Sequence, residues 1–365
     1  MLDLIIPVYK NIPGLYRTLF SIGTELNKRI FVTIVDDCSG DNYDEVIQFF
    51  QKFFPIRVIY LPENRGPGVA RQEGLNRATQ QFVSFIDCGD TYITPTKLKE
   101  CLNFAEQNSH FYMFSWAHVE EKIDFETGEF FYNDVGPQHN RMHGKIYNRE
   151  FIMKNNIRFC EESSRANEDI GFNISARIIA CNNARRDNCD RIYNDMNPAV
   201  VWKSTGPSIV RSDNCAFYYR DQNMGMALNG EHILNTVKAQ NVDEDLIIEE
   251  VYEEMAHMYI FYIASKNGRP EFVDKAIEGA LRYYVNCFKP YGQRDPRWLR
   301  EIYWNTVNNF LADPTDPIRM DFTALDFPGF LNMLEERAAN NNAMSCNSSE
   351  STNCICENGF SYIAP

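Results

Sequence analysis

The feature that most narrows the fold is an alternation in the N-terminal part of the chain. Residues 2–8, 30–35, 56–61 and 82–86 are short β-branched or aromatic runs of strand length. Between them Leu15, Leu19, Ile22 and Leu26, and then Val46, Phe49, Phe50 and Phe53, recur at helical spacing. A third helix is expected to open after Gly66-Pro67-Gly68 and run to about Gln80. Strand, helix, strand in repetition predicts a parallel sheet with helices on both faces. Ligands of such sheets bind at the carboxyl ends of the strands, and the motifs below fall there.

The second run ends in Val35-Asp36-Asp37-Cys38-Ser39-Gly40-Asp41. A carboxylate fixed there accepts a nucleobase N–H; equally, Ser39 or Asp41 reads as the N-cap of a helix start. The fourth run closes on Phe85-Ile86-Asp87-Cys88-Gly89-Asp90. Two carboxylates three residues apart suit magnesium or manganese, which take one or two protein carboxylates plus phosphate oxygens; an ordinary acidic turn has the same pattern. Between the third run and its helix lies Pro62-Glu63-Asn64-Arg65-Gly66-Pro67-Gly68-Val69-Ala70-Arg71, two arginines and a glycine-rich turn where a phosphate can settle. No phosphate-binding loop and no G-x-G-x-x-G is present, which counts against kinases and dehydrogenases.

In this order and spacing the motifs resemble the nucleotide-sugar-binding half of inverting glycosyltransferases of family 2, which have the GT-A fold. The family pattern is P-x-Y, V-D-D-x-S-x-D, N-x-G-x-x-x-A-R-N and D-x-x-D. The chain supplies Pro7-Val8-Tyr9, residues 35–41, residues 64–71 followed by Gln72 in place of Asn, and residues 87–90. Gly144-Lys145-Ile146-Tyr147, Arg158-Phe159 and Glu168-Asp169 are similar to the family's acceptor-half run G-K-L-Y…R-F…E-D. Trp202-Lys203 with Ser208-Ile209 resembles the aromatic-basic segment that closes over the site, with Lys for the commoner Arg. The resemblance implies Asp169 as catalytic base. It implies Pro7, Tyr9, Asp37, Arg71, Asp87 and Lys203 as donor-binding residues, with Pro7, Tyr9 and Asp37 around a uracil. It also implies Asp90 and Asp87 as ligands of Mn or Mg, and a UDP-sugar as the donor. Glu168, His143 and Trp202 are expected on the acceptor side, although a lone His is more often structural. Trp116 and Trp202 read more readily as packing than as sugar platforms.

The expected organisation is a GT-A catalytic domain over residues 1–212, divided near 118/119 into donor and acceptor parts. A helical domain over 213–337 and a flexible tail from 338 to 365 follow. Residues 127–128 mark a hairpin, residues 144–155 and 167–181 read as helical, and so do 246–266, 271–288 and 296–311. Glu249 to Glu254 reads as a solvated helix face.

The net charge of −14 is uneven, with 24 basic and 27 acidic residues before position 213 and 12 and 23 from it onward. An acidic surface argues against non-specific nucleic-acid or anionic-membrane binding. Eleven cysteines without regular spacing fit reduced thiols, and Cys346, Cys354 and Cys356 match no standard zinc spacing. No apolar run is long enough to span a bilayer and the first residues read as a strand rather than a signal peptide. A cytoplasmic setting follows, the host's if the chain is viral. A nucleotidyltransferase would need a glycine-rich loop with a Lys after the first strand, and Lys10-Asn11-Ile12-Pro13 is not one. The acceptor is left as a glycan, a protein or a hydroxymethylated base of viral DNA. A non-catalytic sugar-nucleotide-binding module is the alternative from another class.

Overall fold

The computed structural model describes residues 1–123, 127–138, 140–163, 167–203, 215–268, 270–291 and 326–350. Among these, β1 (Leu2–Val8), β2 (Ile30–Asp36), β3 (Ile56–Tyr60) and β4 (Phe82–Phe85) are parallel neighbours in the order β3-β2-β1-β4. Every residue of β1 is buried, as a central strand covered on both faces requires. The intervening helices are α1 (Ile12–Ser21), α2 (Asp44–Phe50) and α3 (Pro67–Asn76). The Asn11 side chain caps α1 by accepting from the Gly14 N–H at 3.0 Å. Gly66, at φ +89°, turns the chain into α3, and Pro67 opens it.

Beyond β4 lie β5 (Thr91–Tyr92), α4 (Lys97–Gln107), β6 (Met113–Ile123) and β7 (Phe130–Val135). They are followed by β8 (Lys145–Asn148), α5 (Arg149–Lys154), α6 (Glu168–Asp187) and β9 (Ile192–Lys203). The sheet continues β4-β8-β6-β9-β5, with β7 antiparallel to β6 in the expected hairpin. The sheet is thus the mostly parallel, helix-flanked one expected of a GT-A fold, extended by a mixed edge in which β6 and β9 are parallel and the other pairs antiparallel.

Three local readings change. Residues 145–148, read as helical, form β8, antiparallel to both β4 and β6; a short apolar run carries no period of its own, and pairing decides it. β9 was not anticipated because Asn194, Asp195, Asn197 and Pro198 interrupt its apolar pattern. Its register against β6 shifts between Trp116 and His118, close to that proline. The helix expected over 167–181 runs on to Asp187.

Helices α7 (Cys215–Lys238), α8 (Glu244–Gly268), α9 (Val273–Tyr283) and α10 (Phe327–Glu350) make the helical part. It shares one core with the sheet: Ile5, Val35, Val83 and Phe85 belong to the same buried cluster as Met226, Tyr252, Phe288 and Phe330. The change of pattern after residue 212 therefore does not separate two cores. Glu250 and Glu254, placed on a solvated face, are 5% and 4% exposed, because α8 is packed around most of its circumference. The tail expected to be flexible from Ala338 is helical through Glu350. The readings at 208–209, 296–311 and 351–365 lie outside the described residues.

Candidate active site

The parallel strands end on one edge, and the first three motifs meet there. Val8 pairs with Asp36, and the Asp37 N–H donates to the Val8 carbonyl at 2.8 Å. Pro7, buried at the end of β1, and Tyr9, 47% exposed just past it, therefore stand beside Asp37. Asp36 shapes the turn, accepting from the Ser39 N–H and, at 2.8 Å, from the Tyr43 hydroxyl. Asp37 is 4% exposed and accepts from the Arg65 and Gly66 N–H groups, both at 2.8 Å. It thus holds the Glu63–Arg65 loop against the end of β2, a contact that the sequence pattern did not reveal. A carboxylate has about four lone-pair sites, so these two bonds leave room for a nucleobase N–H.

Arg71 is not a free cation facing phosphates. Its side chain is 4% exposed, with Nη2 2.6 Å from Asp87 Oδ1 and Nη1 2.7 Å from Glu168 Oε1. Burial alone would lower its pKa, but Asp87, Glu168 and Asp169 outweigh it and hold the guanidinium charged. A single side chain from α3 thereby joins the end of β4 to the start of α6. Burial pushes Glu168 up to about 7, opposed by Arg71 and reinforced by Asp169. Asp169 is raised too, by burial, with Arg71 and Arg141 pulling the other way. Its half-buried carboxylate accepts from its own backbone N–H and forms no ion pair among the described residues. Both acids occupy the first turn of α6, where the dipole stabilises them.

Asp90 is 4% exposed. Its Oδ1 accepts from the Lys203 backbone N–H at 3.0 Å, while its buried Oδ2 has no partner. Burial, then Asp87, raises its pKa well above the carboxylate range. Such an oxygen is completed by a proton or a cation. Together with the half-exposed Asp87 it offers oxygens of the kind that Mg or Mn accepts, since these ions take one or two carboxylates beside phosphate and water oxygens. Among the described residues no group of three His, Cys, Asp or Glu forms a closed metal cage. Cys88 between them is pushed up to about 12 by burial, an inert thiol.

Lys203, expected at the donor, binds Glu121 through Nζ at 2.8 Å; its backbone N–H donates to Asp90, and its charge acts on Asp90 only as a minor lowering influence. Trp202 stacks on His143 at 5.6 Å and 17°, and the Arg141 guanidinium lies 4.7 Å from its ring, so it is built into the wall. His143 is buried against His118, ring centroids 4.3 Å apart, and its Nε2 is unpartnered. Burial, then His118, keeps it neutral. Trp116 is core, as expected. Lys145 is buried, donates to the Gln138 and Arg141 carbonyls, and is lowered to about 7 by burial. Arg141, His118 and Glu121 escaped the sequence reading: only the β6–β8 and β6–β9 pairings bring them to the site.

Residues 3–167 match the family model described as Glycosyl transferase family 2. The chain carries a family 2 glycosyltransferase domain. Among relatives, TuaG of Bacillus subtilis, a glycosyltransferase provisionally placed in teichuronic acid biosynthesis, is 32% identical over 116 residues, 32% of this chain and 46% of TuaG. The succinoglycan biosynthesis protein ExoO of Rhizobium meliloti is 25% identical over 197 residues, 48% of this chain and 55% of ExoO. The poly(ribitol-phosphate) beta-N-acetylglucosaminyltransferase TarS of Staphylococcus aureus is 27% identical over 191 residues, 49% of this chain and 32% of TarS. The matches thus span about half or less of each relative. A crystal structure of TarS residues 1–349 with UDP has a TM-score of 0.49 at 18% identity, covering 85% of this chain and 91% of that one. No helix among the described residues is long and apolar enough to cross a membrane.

Proposed function

We propose that this chain is a metal-dependent, inverting glycosyltransferase that moves a sugar from a nucleoside-diphosphate donor, a UDP-sugar first, to an acceptor hydroxyl. The observation that carries this reading is the Arg71 bridge, which holds the donor-side Asp87 and the acceptor-side Glu168 on one guanidinium, at 2.6 and 2.7 Å. Asp169, next to Glu168 and half-buried, is the base in this reading. The acceptor oxygen attacks the anomeric carbon and its proton passes to Asp169. The bond to the diphosphate breaks with its electron pair going to the leaving group, and the configuration inverts. Burial favours a protonated Asp169, while Arg71 and Arg141 keep it able to start as the carboxylate. Pro7, Tyr9 and Asp37 would surround the uracil. A divalent cation on Asp90 and Asp87 would supply Lewis-acid stabilisation of the departing diphosphate.

Relatives named for teichuronic acid, succinoglycan and poly(ribitol-phosphate) favour a glycan or polyol acceptor over a viral DNA base. The joint presence of Asp37, Asp87, Asp90 and Asp169 at one edge favours an enzyme over a silent binding module. The test is a panel of nucleotide sugars with manganese, followed by mass for nucleoside diphosphate release and by NMR for the anomeric configuration of the product. Retention of configuration, or turnover undiminished in chelator, overturns the mechanism.

A further inference from the structure

An arginine beside the Asp87–Asp90 turn is uncommitted. Arg17, on the exposed side of α1, makes no hydrogen bond or ion pair among the described residues. Its Nη2 lies 3.8 Å from where a Cβ on Gly89 would stand. The neighbouring residues fix α1 to this turn. Thr18 Oγ1 accepts from the Gly89 N–H at 2.9 Å and donates to the Asp90 carbonyl at 2.7 Å. Asn11 Nδ2 donates to the Cys88 carbonyl at 3.3 Å. The Arg17 stem therefore rises from a point rigidly tied to the two carboxylates.

The cations expected near the donor are already engaged: Arg65 by Glu161, Arg71 by Asp87 and Glu168, and Lys203 Nζ by Glu121. A phosphate-bearing ligand approaching two carboxylates needs a donor that is neither buried nor neutralised. An arginine fork matches phosphate oxygens in charge and geometry. We propose that Arg17 binds a phosphate oxygen of the ligand held at the Asp87–Asp90 turn. The identity of that ligand rests on the sugar-nucleotide reading, whereas the anion site does not. The phosphate belongs either to the donor diphosphate or to an anionic acceptor.

Calorimetry on the full chain with manganese separates these sources, using inorganic pyrophosphate, UDP, and inorganic phosphate added to UDP-saturated protein. Arg17→Ala is expected to weaken binding about tenfold, the loss of one charge-assisted hydrogen bond. Arg17→Lys is expected to recover part of it, with melting unchanged at this exposed position. A loss on pyrophosphate and UDP assigns the anion to the donor; a loss confined to inorganic phosphate on UDP-saturated protein assigns it to the acceptor. Unchanged affinity for all three in Arg17→Ala overturns the proposal while wild-type UDP binding leaves the sugar-nucleotide reading standing. Pyrophosphate binding that depends on Arg17 in a protein that ignores UDP upholds the anion site and overturns that reading. Wild-type protein that binds none of the three overturns both.

Discussion

Replacing Arg71 by Met keeps the length of the side chain and removes the charge that joins the two halves of the site. The two bonds differ in environment: Asp87 is 41% exposed and Glu168 12%. Water compensates most of the Asp87 bond, leaving about 0.5 kcal/mol. The buried Glu168 bond is worth about 1.5–3 kcal/mol. Glu168 already stands at about 7, so it takes a proton in the variant instead of remaining a buried charge, which caps the cost. The total is about 3 kcal/mol, or a Tm lowered by about 4 °C at roughly 2.1 cal/mol/K of unfolding entropy per residue. The pH dependence has a definite sign. A carboxyl whose folded pKa lies above its unfolded one contributes stability below the unfolded value and loses it as pH rises through the folded one. Removing Arg71 lifts Glu168 above about 7, so the deficit should be largest near pH 8 and smallest near pH 5. Asp169 loses the same opposing charge, so the acid limb of kcat/KM should move to higher pH. Denaturant unfolding at both pH values and a pH–rate profile measure this. Stability within about 0.5 kcal/mol of wild type at pH 8, with an unmoved acid limb, would refute the bridge as the link between donor and acceptor sides.

Asp169→Asn should lower kcat by about 10²–10⁴-fold with UDP affinity nearly unchanged; a near wild-type rate, with Glu168→Gln inactive, would transfer the base to Glu168. Asp90→Asn should abolish the manganese-dependent gain in UDP affinity without lowering Tm, because an amide relieves a buried carboxylate whose Oδ2 lacks a partner. A wild-type manganese response in calorimetry would remove Asp90 from the cation site. Glu250, buried on α8 and 3.7 Å from Arg177, is raised well above the usual range by burial, then by Glu254 and Glu253. Its contribution to stability is lost as pH rises, so Glu250→Gln should stabilise by about 1 kcal/mol at pH 8 and not at pH 5; equal shifts at both pH values would contradict the buried-charge argument.

Much of the donor side is legible in the sequence because it is local. A strand that ends in Asp36-Asp37 and another that ends before Asp87 put their acids on one edge by connectivity alone, and Pro67 after Gly66 announces a helix start there. What the linear pattern does not carry is the partner of each charge. Asp37 reads as a nucleobase acceptor but also spans to backbone amides 28 and 29 positions away, and Arg71 reads as a phosphate ligand but is enclosed by carboxylates 16 and 97 positions along the chain. Lys203 is engaged through β6, and Trp202 is walled by Arg141 and His143, through strand pairings that a broken apolar pattern hides. Glu250 and Glu254 have the composition of a solvated face, and only helix packing on both sides of α8 buries them. Periodicity along the chain determined the layers of this protein and the edge on which its acids gather, since both follow from neighbours in sequence. Tertiary structure decided which of those charges are neutralised, raised or left open, since that depends on desolvation and on partners that only folding brings within hydrogen-bonding distance.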